Sequence, residues 1–355
     1  MSAPAASGRE SVWAVVLAGG IGSRFWPMST PSLPKQLLPL VDDEPLLANT
    51  LARLAPLADA TCTLVLTNET LRPAVRALAP QLPAENVIAE PRTAGTGAAL
   101  AWAAVEVARR GGDDAVMLCV HADWAIGDAD AFRAALRAAA RAASTHRALV
   151  TVGIVPSRDD PGFGYIQPDG EVEPGVARVA RFVEKPSRER AAVMRRDGYL
   201  WNSGIFAWKA SDFLAEAERV SPELAPALRV ARDDVGHFFE TVTPITVDHG
   251  VLERSDRVLV LRGDFGWDDV GTWGSLGRVR ETDTAGNALS GPVHVRDGHG
   301  NVVHANAGGN AVVLYGVSDL VVVSANGVTL VTTVDRSSDL KTLIDSLPDS
   351  LRRSD

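Results

Sequence analysis

Val12-Trp13-Ala14-Val15-Val16-Leu17-Ala18-Gly19-Gly20-Ile21-Gly22-Ser23-Arg24-Phe25-Trp26-Pro27, carried on to Pro34-Lys35-Gln36, is the stretch on which the reading of this chain turns. An apolar run of strand length stops at two glycines. A third glycine, Gly22, follows, then Arg24, and Lys35 comes eleven residues after that. This is the pattern of a buried strand feeding a loop whose backbone can approach a ligand closely. Main-chain N–H groups of Leu17, Ala18, Gly19, Gly20, Gly22 and Ser23 can then face phosphate oxygens, while Arg24 and Lys35 add positive charge. Two familiar glycine motifs fail. The dinucleotide fingerprint needs glycine where Phe25 stands, and the Walker pattern needs Lys-Ser/Thr directly after Gly22, where Ser23-Arg24 stand. The loop is therefore a phosphate cradle of another kind, or else a plain strand-to-helix turn with a surface arginine.

Outward from the loop, short apolar runs at 63–67, 87–89, 115–120 and 148–153 alternate with helical patterns at 45–57, 71–78, 97–110 and 129–145. That alternation predicts an α/β fold with a mainly parallel sheet. Ligands of such sheets bind at the carboxyl ends of strands, where the glycine loop, Glu90-Pro91 and the segment after Val120 fall. From Gly162 the alternation breaks into a glycine turn, a strand ending at Glu184-Lys185-Pro186, and a polar turn at Trp201-Asn202-Ser203-Gly204. Residues 244–247 read as strand-like, and 266–273 as the opening of a helix with Asp269 near its N-terminus. From about residue 286 short Val-rich runs recur every 8–10 residues. They predict an all-β unit, as a meander, half a sandwich or a short solenoid. The expected organisation is a disordered lead-in at 1–9, a catalytic α/β domain at 10–285, and a β domain with a closing helix at 286–355.

The 355 residues carry a net charge of −9, which argues against generic affinity for nucleic acid or anionic membranes. The two cysteines, Cys62 and Cys119, sit in or beside apolar runs and read as reduced thiols. His294, His299 and His304 recur at a spacing of five, without the cysteine or carboxylate partners of a metal site, and read as solvated. Residues 12–18 run into the glycine loop rather than a cleavage site, and no segment approaches the roughly 18 uninterrupted apolar residues of a span. The chain is therefore expected in the cytoplasm.

Five side chains complete a candidate site. Asp123 and Asp269 follow strand-like segments, and two carboxylates with phosphate oxygens and water suffice for Mg²⁺. Asp268 competes with Asp269 on chemistry alone, and each could simply be a turn residue or helix cap. Glu184-Lys185 offers an acceptor for sugar hydroxyls and a point charge for a phosphate, and Asn202 a further hydroxyl partner.

In order, the glycine loop, Pro34-Lys35-Gln36, Glu90-Pro91, Asp123, Gly162-Phe163-Gly164-Tyr165-Ile166, Phe182-Val183-Glu184-Lys185-Pro186, Trp201-Asn202-Ser203-Gly204-Ile205-Phe206 and Gly266-Trp267-Asp268-Asp269-Val270-Gly271-Thr272-Trp273 resemble the sugar-nucleotide pyrophosphorylases. Within them they look most like the mannose-1-phosphate guanylyltransferase family. The resemblance covers nearly the whole chain. It implies a Rossmann-like (GT-A-type) nucleotidyltransferase domain with a mainly parallel mixed sheet, followed by a small β-helix-like domain. It implies GTP and mannose 1-phosphate as substrates, Mg²⁺ on Asp123 and Asp269, and a homodimer. It places Arg24 and Lys35 at the triphosphate, Glu90 and Thr96 at the nucleotide, Gly164, Glu184 and Asn202 at the sugar, and Lys185 at the sugar phosphate. Two places depart from the family. Gly95-Thr96-Gly97-Ala98-Ala99 stands where it usually has Asn-Thr-Ala-Pro-Ala, and His121-Ala122-Asp123-Trp124 where it tends to have Pro-Ser/Ala-Asp-His. Another nucleotide and sugar phosphate (UTP or dTTP with glucose 1-phosphate), or a non-catalytic sugar-nucleotide sensor, are the alternatives these residues leave open.

Overall fold

The computed structural model describes residues 11–20, 23–306 and 308–352. Gly22 of the glycine loop lies outside the described residues, and Ser23 is described by its backbone alone. The strands of the main sheet are β1 (Val12–Leu17), β2 (Thr63–Asn68), β3 (Val87–Glu90) and β4 (Val116–His121), a short β5 (Ala125–Ile126) outside it, then β6 (Leu149–Ile154), β7 (Tyr165–Glu173), β8 (Val176–Val183), β9 (Leu200–Lys209) and β10 (Val258–Gly263). They order as β3-β2-β1-β4-β9-β6-β10-β8-β7, nine strands in one mixed sheet. The helices α1 (Leu46–Leu54), α2 (Arg72–Leu78), α3 (Gly95–Gly111) and α4 (Ala129–His146) connect the first half.

β1 is parallel to both its neighbours, β2 and β4. Its uninterrupted apolar sequence follows from burial on both faces. Ala14 and Val16 pack with Phe132, Leu136 and Ala139 of α4, while Trp13, Val15 and Leu17 pack with the alanine face of α3. Asp128 caps α4 through the Asp130 and Ala131 N–H groups, both at 2.9 Å.

The alternation ends because β9 enters antiparallel between β4 and β6. Its last residues pair with the start of β4, Lys209 opposite Val116, so its first residues lie at β4's carboxyl end. That reversal puts Asn202 beside the ends of the parallel strands. The β7–β8 hairpin extends the far edge, and the start of β7 folds back onto β9, Tyr165 opposite Trp201.

Two sequence expectations need correction. Residues 242–246 form no strand; they lie extended along the start of α3, with Ile245 N donating to Ala94 O at 3.1 Å and Gly97 N to Ile245 O at 3.0 Å. Nor does Asp269 open a helix. Trp267–Asp268 forms a short β11 against β5, and the next helical turn, Trp273–Ser275, is capped by Thr272.

The tail comprises β12 (Ala288–Ser290), β13 (Val293–Arg296), β14 (Val302–Ala305), β15 (Val312–Tyr315), β16 (Leu320–Ala325) and β17 (Val328–Thr333). β12, β14 and β16 stack in parallel, as do β13 and β15, and β17 closes the stack antiparallel. Of the three expected forms, this is the short solenoid. Asn287 and Asn301, both buried, run a ladder down its interior, with Asn301 Nδ2 donating to Asn287 Oδ1 at 2.9 Å and Leu320 N to Asn301 Oδ1 at 3.0 Å. His304 is not solvated as the sequence suggested. It is buried, its ring centroid lies 5.8 Å from that of Trp273, and burial pulls its pKa down to about 4.

Candidate active site

The glycine loop leaves the sheet at the end of β1. Gly19 and Gly20 are exposed, and Gly20 has φ +112°, a conformation that L side chains rarely adopt. The loop is pinned from below by Gln36, which is buried and donates to Ala18 O at 2.9 Å and Gly20 O at 3.2 Å. Gln36 belongs to the sequence motif but was not singled out for a role. Leu17 and Ala18 bury their side chains in the core, so only their backbone faces the loop. Arg24 is exposed at the rim, immediately before the buried Phe25-Trp26-Pro27.

Lys35 and the two aspartates come together. Lys35 Nζ lies 3.1 Å from Asp123 Oδ2 and donates to the main-chain carbonyls of Asp269 at 2.8 Å and Val270 at 3.1 Å. Val270 sits at φ +47°, unusual for a β-branched residue, and this backbone aims both carbonyls at the lysine. Burial holds the Asp269 carboxyl above the ordinary carboxylate range, with the Lys35 ammonium working in the opposite sense. A Cβ on Gly271 would come 2.6 Å from Asp269 Oδ2, so glycine there makes room for the carboxylate. Asp268 is committed elsewhere. Its Oδ2 pairs with Arg278 at 2.8 Å and its Oδ1 accepts the Val270 N–H at 2.9 Å.

Beyond Asp269 opens a cavity of about 270 Å³. Gly164, Glu184 and Asn202 line it, as do Thr96, His121, Trp124, Asp248 and Trp267. A Cβ on Gly164 would sit 2.5 Å from Glu184 Oε2, so a larger residue there would displace the Glu184 carboxylate. Asn202 is held by three bonds: Oδ1 accepts from Thr151 Oγ1 at 3.0 Å and Gly204 N at 3.3 Å, and Nδ2 donates to Asp248 Oδ1 at 2.8 Å. Lys185 Nζ lies 2.8 Å from Glu184 Oε1 on a mostly exposed side chain.

Asp248 escaped the sequence reading, because nothing in Thr246-Val247-Asp248-His249 marks it. Burial, and then the nearby Glu184 carboxylate, raise its pKa to about 6. His121 was noticed only as a departure. Its ring stacks at a tilt on Trp124, centroids 5.0 Å apart, and burial lowers its pKa, so it presents a neutral imidazole to the cavity.

Of the two residues assigned to the nucleotide beyond the loop, Thr96 lines the cavity and accepts the Val247 N–H on Oγ1 at 3.0 Å. Glu90 is not among the lining residues. Burial raises its carboxyl to about 7, with the Ala94 N–H as a partial counterweight, so it braces the turn into α3. The departure at Gly95 and Gly97 has a structural cause. Cβ atoms there would come 2.3 Å and 2.9 Å from the main-chain oxygen of Ile245, so only glycine admits the crossing segment.

The donor set suits a hard divalent cation with few protein ligands. Among the described residues no group of three or more His, Cys, Asp or Glu could hold a metal alone. Lys35 meets the Asp123 carboxylate and the Asp269 main chain, and two such aspartates fit a cation that takes its remaining ligands from phosphate and water.

Residues 13–286 match the nucleotidyl transferase family model. The chain is 36% identical over 354 residues to a mannose-1-phosphate guanylyltransferase of Escherichia coli, covering 95% of this chain and 74% of that one. It is 35% identical to the alginate biosynthesis protein AlgA of Pseudomonas aeruginosa, covering 94% and 71%. Among solved structures, that described as mannose-1-phosphate geranyltransferase from Thermus thermophilus superimposes with a TM-score of 0.87 at 33% identity, covering 94% of this chain and 98% of that one.

Proposed function

Since the chain belongs to the nucleotidyl transferase family, within its mannose-1-phosphate guanylyltransferase branch, we infer that it makes GDP-mannose and pyrophosphate from GTP and mannose 1-phosphate. The observation that best supports a role for the named residues is their convergence. Gln36 ties the glycine loop to Lys35, Lys35 ties Asp123 to Asp269, and Asp269 lines the same cavity as Glu184 and Asn202. A polyphosphate site and a polyol site thus adjoin.

In this reading an oxygen of the sugar phosphate attacks the nucleotide α-phosphorus in line and pyrophosphate leaves. A phosphate monoester is already largely ionised near neutral pH, its second pKa being about 6, so no general base is required. The task is to bring two anions together, and positioned charge does that work. Backbone N–H groups of Leu17, Ala18, Gly19, Gly20, Gly22 and Ser23 receive the triphosphate, and Arg24 and Lys35 neutralise it. Gly164, Glu184 and Asn202 hold the sugar, Lys185 its phosphate, and Glu90 and Thr96 shape the nucleotide end. Asp123 and Asp269 would hold a divalent cation, in this reading Mg²⁺, which supplies further neutralisation of the leaving phosphates. The division of labour runs with the chain, catalysis in 10–285 and a β domain in 286–355. That domain exposes Val313 and Tyr315, which suits contact with a second copy in a homodimer. No helix among the described residues is long and apolar enough to cross a membrane, and we place the enzyme in the cytoplasm.

Pyrophosphate release measured over a panel of nucleotides and sugar 1-phosphates, with Mg²⁺, tests the reading. The expected outcome is release that needs GTP and mannose 1-phosphate together. Release with UTP or dTTP and glucose 1-phosphate instead would reassign the substrates, and no release with any pair would favour a binding role.

A further inference from the structure

An exposed glycine loop binds phosphate well only if its conformation is set before the ligand arrives, since ordering it on binding subtracts from affinity. Gln36 fixes the strand side of this loop. The other side, just after Arg24, is fixed from the far end of the chain. Trp273 Nε1 donates to Trp26 O at 2.9 Å, and Asn326 Nδ2 donates to Pro27 O at 2.9 Å. Two successive carbonyls of the loop's return limb are thus held by two side chains remote in sequence. Phe25 packs its ring 5.2 Å from that of Trp273. Phe25 and Trp26 share one buried cluster with Val302, Val321, Val323 and Leu330 of the solenoid.

The holding groups are themselves rigid. Asn326 stands with Gly327 at the tip of the β16–β17 hairpin, at φ +52° and +75°, the two-residue turn whose twist matches its strands. Its side chain therefore reaches Pro27 from a fixed base. Trp273 is braced by the tail as well, since the adjacent Gly274 N–H donates to Ser337 Oγ at 3.2 Å.

We propose that the C-terminal β unit sets the conformation of the nucleotide loop's return limb, residues 24–27, with Asn326 as a positioning residue that acts on Arg24 through the Pro27 carbonyl. The tail is then part of the nucleotide site without touching the nucleotide. This rests on the reading of the glycine loop as the triphosphate site. Asn326 is not among the described residues that line the cavity of Glu184 and Asn202, so its influence is expected on one substrate.

Asn326→Gly and Asn326→Asp test the proposal. Both tolerate the positive φ; the first removes the donor, and the second replaces it with a carboxylate facing a carbonyl. A hydrogen bond of about 0.5–1.5 kcal/mol corresponds to a rise of roughly two- to thirteenfold in KM for GTP. Asn326→Asp should be the more affected, with kcat and KM for mannose 1-phosphate changing less than about twofold. Hydrogen exchange of residues 18–30 in the nucleotide-free protein should quicken in both variants. An unchanged KM for GTP with unchanged exchange overturns the proposal, even if the melting temperature falls, and so does an equal rise in both KM values. If the wild-type chain releases no pyrophosphate, the functional reading fails instead, while the exchange comparison still decides whether the tail orders the loop.

Discussion

Lys35 and Asp123 form an ion pair of 3.1 Å at the junction of the glycine loop and the cavity, and the same ammonium donates to the Asp269 carbonyl at 2.8 Å. One cation thus ties the loop segment to both aspartates. Lys35→Met keeps the apolar stem but leaves Asp123 without its partner and two carbonyls without a donor. We expect turnover to fall by about 10²–10³, the scale of losing one preorganised electrostatic group. Steady-state kinetics with a circular dichroism melt check this; near-normal kcat in a folded Lys35→Met protein would remove the lysine from the chemistry.

Asp269→Asn separates charge from shape. The carboxyl is held above its ordinary range by burial, so its ionised form is disfavoured in the fold. Such a group costs nothing below its unfolded pKa and carries its full cost above the folded one. At pH 7 the neutral amide should therefore keep or slightly raise the melting temperature, while turnover falls by about 10²–10³. Normal activity with Mg²⁺ would refute the metal assignment.

Asp248→Asn should alter the pH dependence of stability. The carboxyl is raised from 3.8 to about 6, so the wild-type fold loses stability as pH rises from near 4 through about 6. At about 1.4 kcal/mol per pKa unit the loss is at most about 3 kcal/mol. The variant should lack this component, seen as a flatter plot of unfolding free energy against pH. Its amide oxygen can still accept from Asn202, so the cavity is retained.

Gly97→Ala should destabilise the fold rather than help α3. Helix propensity favours alanine by up to about 1 kcal/mol. Against that, the new Cβ would sit 2.9 Å from the Ile245 carbonyl, an atom fixed by its own bond to Gly97 N. A net loss of about 1–3 kcal/mol in chemical denaturation is expected. A variant as stable as the wild type would show that the 242–246 segment moves freely.

Part of the candidate site is local in origin, and that part is legible in the sequence. Gly19-Gly20 after an apolar run, and Glu184-Lys185 at a strand end, declare their chemistry within a few residues. Asp248 declares nothing. Its chemistry arises because the helical turn Asp248–Leu252 opens against Asn202, and its perturbed acidity comes from burial beside Glu184, 64 positions earlier in the chain. Residues 244–247 read as a strand because the consecutive β-branched Ile245, Thr246 and Val247 suit one, yet Ile245 makes its backbone bonds with Ala94 and Gly97 at the start of α3. His304 looked solvated among glycines and asparagines because its neighbour Trp273 arrives from another part of the chain.

The sequence by itself determined the parallel core of the sheet, the glycine loop that leaves its first strand, and the presence of a repetitive β tail. These follow from apolar periodicity, glycine placement and charge, all short-range properties. Only the tertiary structure decided that Lys35 stands between Asp123 and Asp269, that Asp268 is spent on Arg278, and that the hairpin at Asn326 reaches back to Pro27. Each is a meeting of groups ten to 299 positions apart. Periodicity carries no information about such meetings, because burial and hydrogen-bond satisfaction act on whichever groups the packed sheet and solenoid bring together.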